Sequence, residues 1–271
     1  MFFCFGKRFS RLIIALMLIL TLMFAALLSV RKSGEALSVG SYEWGVHFER
    51  SGEAPTPNLS AQELKKYNSY YCGDTCAKVI YITFDAGYEN GNTTALLDAL
   101  KKHNATAAFF VVGPFIKENP ALIKRMIDEG HIIGNHTYRH PDMRQKSKND
   151  FIKELSATEQ VFFETTGREI DKYYRPPEGK FTTENLQWAN EIGYTTVLWS
   201  TAYVDWKLDA QPSKEYAFEK IASRTFDGSI ILLHTTSATN ALILDEQLSK
   251  WEAQGYTFAS LSQLRSPYEN D

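Results

Sequence analysis

From Lys78 onward, apolar and β-branched runs of about six residues alternate with amphipathic segments of helical period. No other feature of the chain limits its fold as much. The runs at 79–85, 107–112, 131–136, 173–176, 194–200, 229–235 and 256–261 predict seven strands. Nearly continuous apolar strands separated by helices imply a parallel sheet covered by helices. Helix starts are readable between them: Asn119 before Pro120, Ser147 with Asp150 three residues on, Thr182, and Ser213. Gly130, Gly193 and Gly255 stand where helices hand over to strands, the place of a left-handed C-cap. About seven such units in some 190 residues favour an α/β fold, a distorted (β/α) barrel of about seven parallel strands, over an open doubly wound sheet. The loop 85–91 after the first strand has no Gly-rich phosphate pattern.

The N-terminus is of another kind. Lys7, Arg8 and Arg11 precede an apolar run at 12–30 that only Thr21 and Ser29 interrupt. A basic stretch followed by such a run is a secretory signal or a membrane anchor. The run matches the ~18–20 residues that span a bilayer. Arg31 and Lys32 follow at once, and Ala36-Leu37-Ser38, a usable cleavage site, lies some way beyond, so an uncleaved anchor within 1–38 is the preferred reading. Everything after residue 40 is then extracytoplasmic. Residues 39–77, rich in Pro, Gly, Ser and aromatics, read as an arm packed on the barrel, and 78–271 as the catalytic domain. Cys72 and Cys76 enclose a three-residue turn and fit either a small disulfide or two free thiols. The net charge of −3, with no Lys/Arg run outside the N-terminus, argues against a nucleic-acid partner. No obligate protein partner is evident.

Polar residues fall at strand ends. Asp85 ends the first predicted strand, His136 the third and His234 the sixth, while Arg175 sits near the end of the fourth and Asp205 just past the fifth. In a parallel barrel these ends share one face, where active sites are built. His136 and His140, four apart, can share a divalent cation. Arg175-Pro176-Pro177-Glu178-Gly179 is a rigid turn that would hold an arginine against a carboxylate, Asp85 being the best placed. A carboxylate such as Asp205 near His234 would raise its pKa so that it donates a proton. Metal, base, acid and anchoring arginine together describe metal-assisted hydrolysis of an amide or ester. His47, His103 and His131 have no such placement.

Thr83-Phe84-Asp85-Ala86-Gly87, His136-Thr137-Tyr138-Arg139-His140, the Arg175–Gly179 turn, Asp205-Trp206 and Leu232-Leu233-His234-Thr235 resemble, in order, the five motifs of the polysaccharide deacetylases, the NodB-homology family. Tyr88-Glu89-Asn90-Gly91, 204–207 and Trp44-Gly45 look most like the delta-lactam-biosynthetic de-N-acetylases, which act on N-acetylmuramic acid in spore-cortex peptidoglycan. The resemblance implies that Asp85 is the general base, His136 and His140 the metal ligands, Arg175 the orienter of Asp85, Asp205 the partner of His234, and His234 the general acid. It further implies an oxyanion donor at the Glu178 backbone, walls at Trp206, Leu232 and Trp199, zinc as the metal, and a peptidoglycan glycan strand as the partner.

One position departs from the family pattern. Ala86 stands where most members carry a second Asp as a metal ligand, leaving Glu89 or Asp142 as substitutes. Two other functions compete with the muramic one: deacetylation of N-acetylglucosamine in peptidoglycan or a chitin-like polymer, and glycan binding by a barrel that has lost catalysis.

Overall fold

The computed structural model describes residues 40–264. The apolar run at 12–30, Cys4 and the anchor reading lie outside these residues, and no helix among the described residues is long and apolar enough to cross a membrane. The strands in chain order are β1 (Ser41–Glu43), β2 (Val46–His47), β3 (Thr56–Pro57), β4 (Ser69–Tyr70), β5 (Val79–Ala86), β6 (Ala107–Val111), β7 (Ile132–Asn135), β8 (Tyr173–Tyr174), β9 (Lys180–Thr182), β10 (Thr195–Val197), β11 (Ser229–His234) and β12 (Thr257–Phe258). The helices are α1 (Ala61–Lys65), α2 (Thr93–Lys102), α3 (Gly113–Glu118), α4 (Pro120–Asp128), α5 (Lys148–Thr166), α6 (Thr183–Glu191), α7 (Lys214–Arg224) and α8 (Ala238–Ala253).

Seven parallel strands curl in the order β11-β5-β6-β7-β8-β10-β4. Single bridges, Cys72 to Ser229 and Thr201 to Ile231, carry the far end of this ribbon back towards β11. The expected seven-stranded α/β barrel is therefore present, with a different seventh strand. Residues 256–261 supply only the two-residue β12, which pairs with the start of β5 below β6. The seventh ring strand is β4, and it comes from the arm.

Along β5 the side chains alternate. Ile80, Ile82, Phe84 and Ala86 enter the cluster between sheet and helices. Tyr81 points the other way, into an interior cluster with Ala108, Phe110, Val197 and Ile230. Asp85 and Thr83 share that inward face. Ser147, Thr182 and Ser213 cap α5, α6 and α7 through their side chains as expected, whereas Asn119 precedes α4 without doing so and instead donates to the Phe115 carbonyl at 3.0 Å. Gly130, Gly193 and Gly255 are left-handed, with φ of 82°, 85° and 86°.

The arm reaches the site in two ways. β1 pairs antiparallel with β9, setting Glu43 opposite Lys180. Trp44 is buried, packs on Tyr71 at 5.5 Å between centroids, and donates from Nε1 to the Trp199 carbonyl at 2.8 Å. Gly179, at φ +66°, lies so close to Trp44 and Trp199 that a Cβ would fall 2.8 Å from each. Trp44→Ala removes this anchor and is expected to destabilise the domain by about 3–5 kcal/mol in urea unfolding. A loss below about 1 kcal/mol would show that the arm docks without it. Cys72 is buried and Cys76 exposed, both as free thiols, and burial pushes the Cys72 thiol up to about 12.

Candidate active site

Adjacent strands bring the reactive groups to one level. In the register of β11 on β5, His234 is paired with Asp85. His136 directly follows β7 and Arg175 directly follows β8, each one residue past its strand. A cavity of about 630 Å³ opens over these ends, lined by Asp85, His136, His140, Glu178, Trp199, Trp206, Leu232 and His234 among others. Arg175 and Asp205 lie behind it, fully buried. All ten candidate residues thus meet in or directly behind one cavity. A larger groove of about 710 Å³ runs along α5 but contains none of them.

Arg175 is held on every side. Its Nη1 donates to Asp85 Oδ1 at 2.9 Å, its Nη2 to Thr83 Oγ1 at 2.9 Å, and its Nε to the Val197 carbonyl at 2.9 Å. The guanidinium also lies 4.1 Å from the ring centroid of Phe110. A fork so fully engaged fixes one carboxylate oxygen of Asp85 and leaves Oδ2 towards the cavity, 3.4 Å from His136 Nε2. Burial raises the Asp85 carboxyl, but His136, Arg175 and His234 outweigh it and hold it below the usual carboxylate value. Asp85 is ionised at neutral pH.

His234 has the opposite bias. Its Nδ1 meets Asp205 Oδ1 at 2.7 Å, and its backbone N–H donates to Asp205 Oδ2 at 2.8 Å. A carboxylate can only accept, so Nδ1 carries a proton and Nε2 is the ring nitrogen left to face the cavity. Burial lowers the His234 pKa, but the charge and hydrogen bond of Asp205, with help from Asp85, raise it above 6.5 overall. Asn240, at the start of α8, donates to Asp205 Oδ2 at 2.6 Å and to the His234 carbonyl at 3.1 Å, and accepts from the Tyr203 hydroxyl. The Trp206 ring, half exposed, lies 5.5 Å from the imidazole of His234.

His136 and His140 come together through a loop instead of a helical turn. Thr137 and His140 take left-handed φ values of 68° and 57°, uncommon for residues other than glycine and costly for a β-branched one. Hydrogen bonds hold the loop: Thr137 N–H to Asn135 Oδ1 at 2.9 Å, His140 N–H to Thr137 Oγ1 at 3.0 Å, and Tyr138 and Arg139 N–H to Glu154 Oε2 at 3.1 and 2.9 Å. The two rings end 4.8 Å apart between centroids, at 70° to one another. Glu178, with φ 55°, is the third left-handed residue of the site.

The donor set suits a divalent cation at two positions. His136 Nδ1 donates to the Arg175 carbonyl at 2.8 Å, which fixes the tautomer and leaves Nε2 as a free lone pair. Burial pulls the His136 pKa down to about 4, so the ring is neutral near pH 7, as a ligand must be. Among the described residues no three His, Cys, Asp or Glu form a metal cluster. Ala86 is fully buried among apolar neighbours. Both substitute carboxylates are engaged elsewhere. Glu89 accepts from the Gly91 N–H and the Thr93 hydroxyl at the start of α2. Asp142 takes Arg144 through both oxygens, at 3.0 and 2.7 Å.

Several residues of this site escape reading in the sequence. Asn240, Tyr203, Asn135 and Glu154 carry no motif of their own, and only the folded chain places them. Thr83 lies within the first motif, but nothing there announces that it accepts from Arg175 while donating to the Ile231 carbonyl at 2.6 Å.

The residues at 73–197 match the family model of the polysaccharide deacetylases. The chain is 44% identical over 233 residues to the peptidoglycan-N-acetylmuramic acid deacetylase PdaA of Bacillus subtilis (strain 168), covering 85% of this chain and 88% of that one. The structure of Bacillus subtilis PdaA, a family 4 carbohydrate esterase, superposes with a TM-score of 0.78, covering 83% of this chain and 96% of that chain. The peptidoglycan-N-acetylglucosamine deacetylase PgdA of Listeria monocytogenes is 36% identical over 187 residues, covering 69% of this chain and 39% of that one. Likeness at this level over most of both PdaA and this chain, with two charged pairs and two imidazoles facing one cavity, places the chain in the polysaccharide deacetylase family.

Proposed function

We propose that the chain hydrolyses the N-acetyl group of N-acetylmuramic acid in peptidoglycan, the step that precedes muramic-delta-lactam formation in spore cortex. One observation carries the mechanism: a carboxylate whose pKa is lowered and an imidazole whose pKa is raised sit on neighbouring strands and face one cavity. Pairs whose surroundings push their pKa values apart mark the base and the acid. The muramic assignment follows the likeness to PdaA, which covers 85% of the chain and so reaches into the arm.

Asp85 takes the proton of the attacking water as the C–O bond forms at the acetyl carbonyl. Arg175 keeps that carboxylate in one orientation. His234 Nε2 gives its proton to the amide nitrogen as the C–N bond breaks, so the products are acetate and a free amine. Asp205 holds the ring and stabilises its charge. The left-handed Glu178 would turn a backbone N–H towards the developing oxyanion, worth about 3 kcal/mol where such a donor is fixed. Leu232, Trp199 and Trp206 would wall the acetyl group. Metal dependence is the norm in this family. His136 and His140 would hold the divalent ion, zinc in our reading, and when bound it supplies Lewis-acid polarisation of the carbonyl and the water. The protein would act outside the cytoplasm on glycan strands, held to the membrane by residues 1–38 or secreted to the wall.

Incubation of the metal-loaded protein with amidase-treated glycan should release acetate and leave muramic residues deacetylated. Chelator should abolish release and added divalent ion restore it. The Listeria relative makes N-acetylglucosamine the competing target, and acetate released only from glucosamine residues would replace the muramic reading. Glycan binding with no acetate from either sugar would replace the hydrolytic one.

A further inference from the structure

We infer that Lys180 binds the lactyl carboxylate of the muramic residue and thereby sets the preference for muramic acid over glucosamine. The inference rests on the muramic reading above. Muramic acid differs from glucosamine by a lactyl ether on C3, the carbon beside the one that carries the acetamide. Its carboxylate must therefore enter the same cavity as the scissile bond. There it would face Glu43, Asp85 and Glu178, three carboxylates that line the cavity. Asp85 is offset by Arg175, but Glu43 and Glu178 repel an anionic substituent unless a cation stands beside them.

Lys180 is the single lysine or arginine among the residues lining that cavity. It opens β9, and the pairing of β9 with β1 fixes its backbone opposite Glu43. Its side chain is 26% exposed and its Nζ lies 2.6 Å from Glu178 Oε2, while the Glu178 side chain is 59% exposed. The more exposed carboxylate can swing into solvent, and the substrate carboxylate can take its place on the ammonium. Such an exchange leaves the lysine paired throughout. Arg144, the nearby alternative, does not line the cavity, and Asp142 holds it through both carboxylate oxygens.

The test compares kcat and KM of the full, metal-loaded chain on peptide-stripped muramic oligosaccharide and on N-acetylglucosamine oligosaccharide. Lys180→Met is expected to lower the ratio of muramic to glucosamine kcat/KM about tenfold, through the muramic KM with little change in its kcat. Lys180→Arg should keep most of the preference. Methyl esterification of the lactyl carboxylate should lower the wild-type ratio by a similar factor, and this arm stands even where the Met variant fails to fold. A ratio unmoved by both changes, in a wild-type protein active on muramic substrate, overturns the role of Lys180 alone. A wild type inactive on muramic substrate overturns it together with the proposed function.

Discussion

Asp85→Asn is expected to reduce deacetylation on the order of 10²–10⁴-fold, because it removes the cavity carboxylate that lies 3.4 Å from His136 and is paired in register with His234. The same change should weaken the fold. Arg175 has no solvent exposure and makes its one ion pair among the described residues with Asp85. Removing one partner of such a buried pair costs about 3–5 kcal/mol, since the other charge stays uncompensated. An asparagine Oδ1 can still accept from Nη1, so a loss near the lower end is expected. Arg175→Met should cost a similar amount by leaving Asp85 to burial. In the double variant neither charge is stranded, so its loss in urea unfolding should fall well short of the sum. Strictly additive losses would show that the two side chains do not act as a unit. Activity separates the two roles, because among the described residues Asp85 is the carboxylate that lies beside His136 and is paired in register with His234. Acetate release by Asp85→Asn within about tenfold of wild type would remove Asp85 from the mechanism.

Much of this arrangement is legible before folding, for a physical reason. A strand buried on both faces reads as an apolar run, so a charged residue at its end stands out, as Asp85 and His234 do. Parallel strands carry all such ends to one side, so five polar residues spread along the chain can be assigned to one cavity. Supports that depend on long-range contact have no local signature. Arg175 and Thr83 are 92 residues apart, and Asn240 lies 35 from the carboxylate it holds. β4 is only two residues long, too short for any periodicity to mark it, so its place in the ring emerges only from its pairing with β10. The spacing of His136 and His140 suits a shared cation, but it does not show the backbone that brings the rings together: Thr137 and His140 adopt left-handed backbone that side-chain bonds from Asn135 and Thr137 enforce. That Ala86 offers no metal ligand where the family pattern has an Asp is legible in the sequence. That neither Glu89 nor Asp142 replaces it required the structure, because each is bound to a neighbour within four residues.

Asp205→Asn tests the acid half of the mechanism, and its signature is a shift along the pH axis. As the proposed proton donor, His234 must be protonated to act, so wild-type activity is expected to fall as pH rises through its pKa. The groups facing the ring are Asp205, Asp85 and Arg175; the two carboxylates raise the pKa, while burial and Arg175 lower it, for a net rise above 6.5. Removing the Asp205 charge takes away the largest of the raising contributions and leaves burial opposed by Asp85 alone. The alkaline limb of kcat should therefore move to lower pH. Asp85, held below the usual carboxylate value, remains ionised there, so lowering the pH should recover part of the lost rate. At neutral pH the loss should be on the order of 10²–10⁴-fold, since an asparagine amide can also present a donor to Nδ1 and favour the wrong tautomer. Stability follows the same sign. A raised histidine pKa stabilises the fold below the unfolded value near 6.5, and that contribution is lost as pH rises through the folded pKa. In Asp205→Asn this pH-dependent part should disappear from the unfolding curves. An alkaline limb that stays in place in the variant would mean that His234 is not the proton donor.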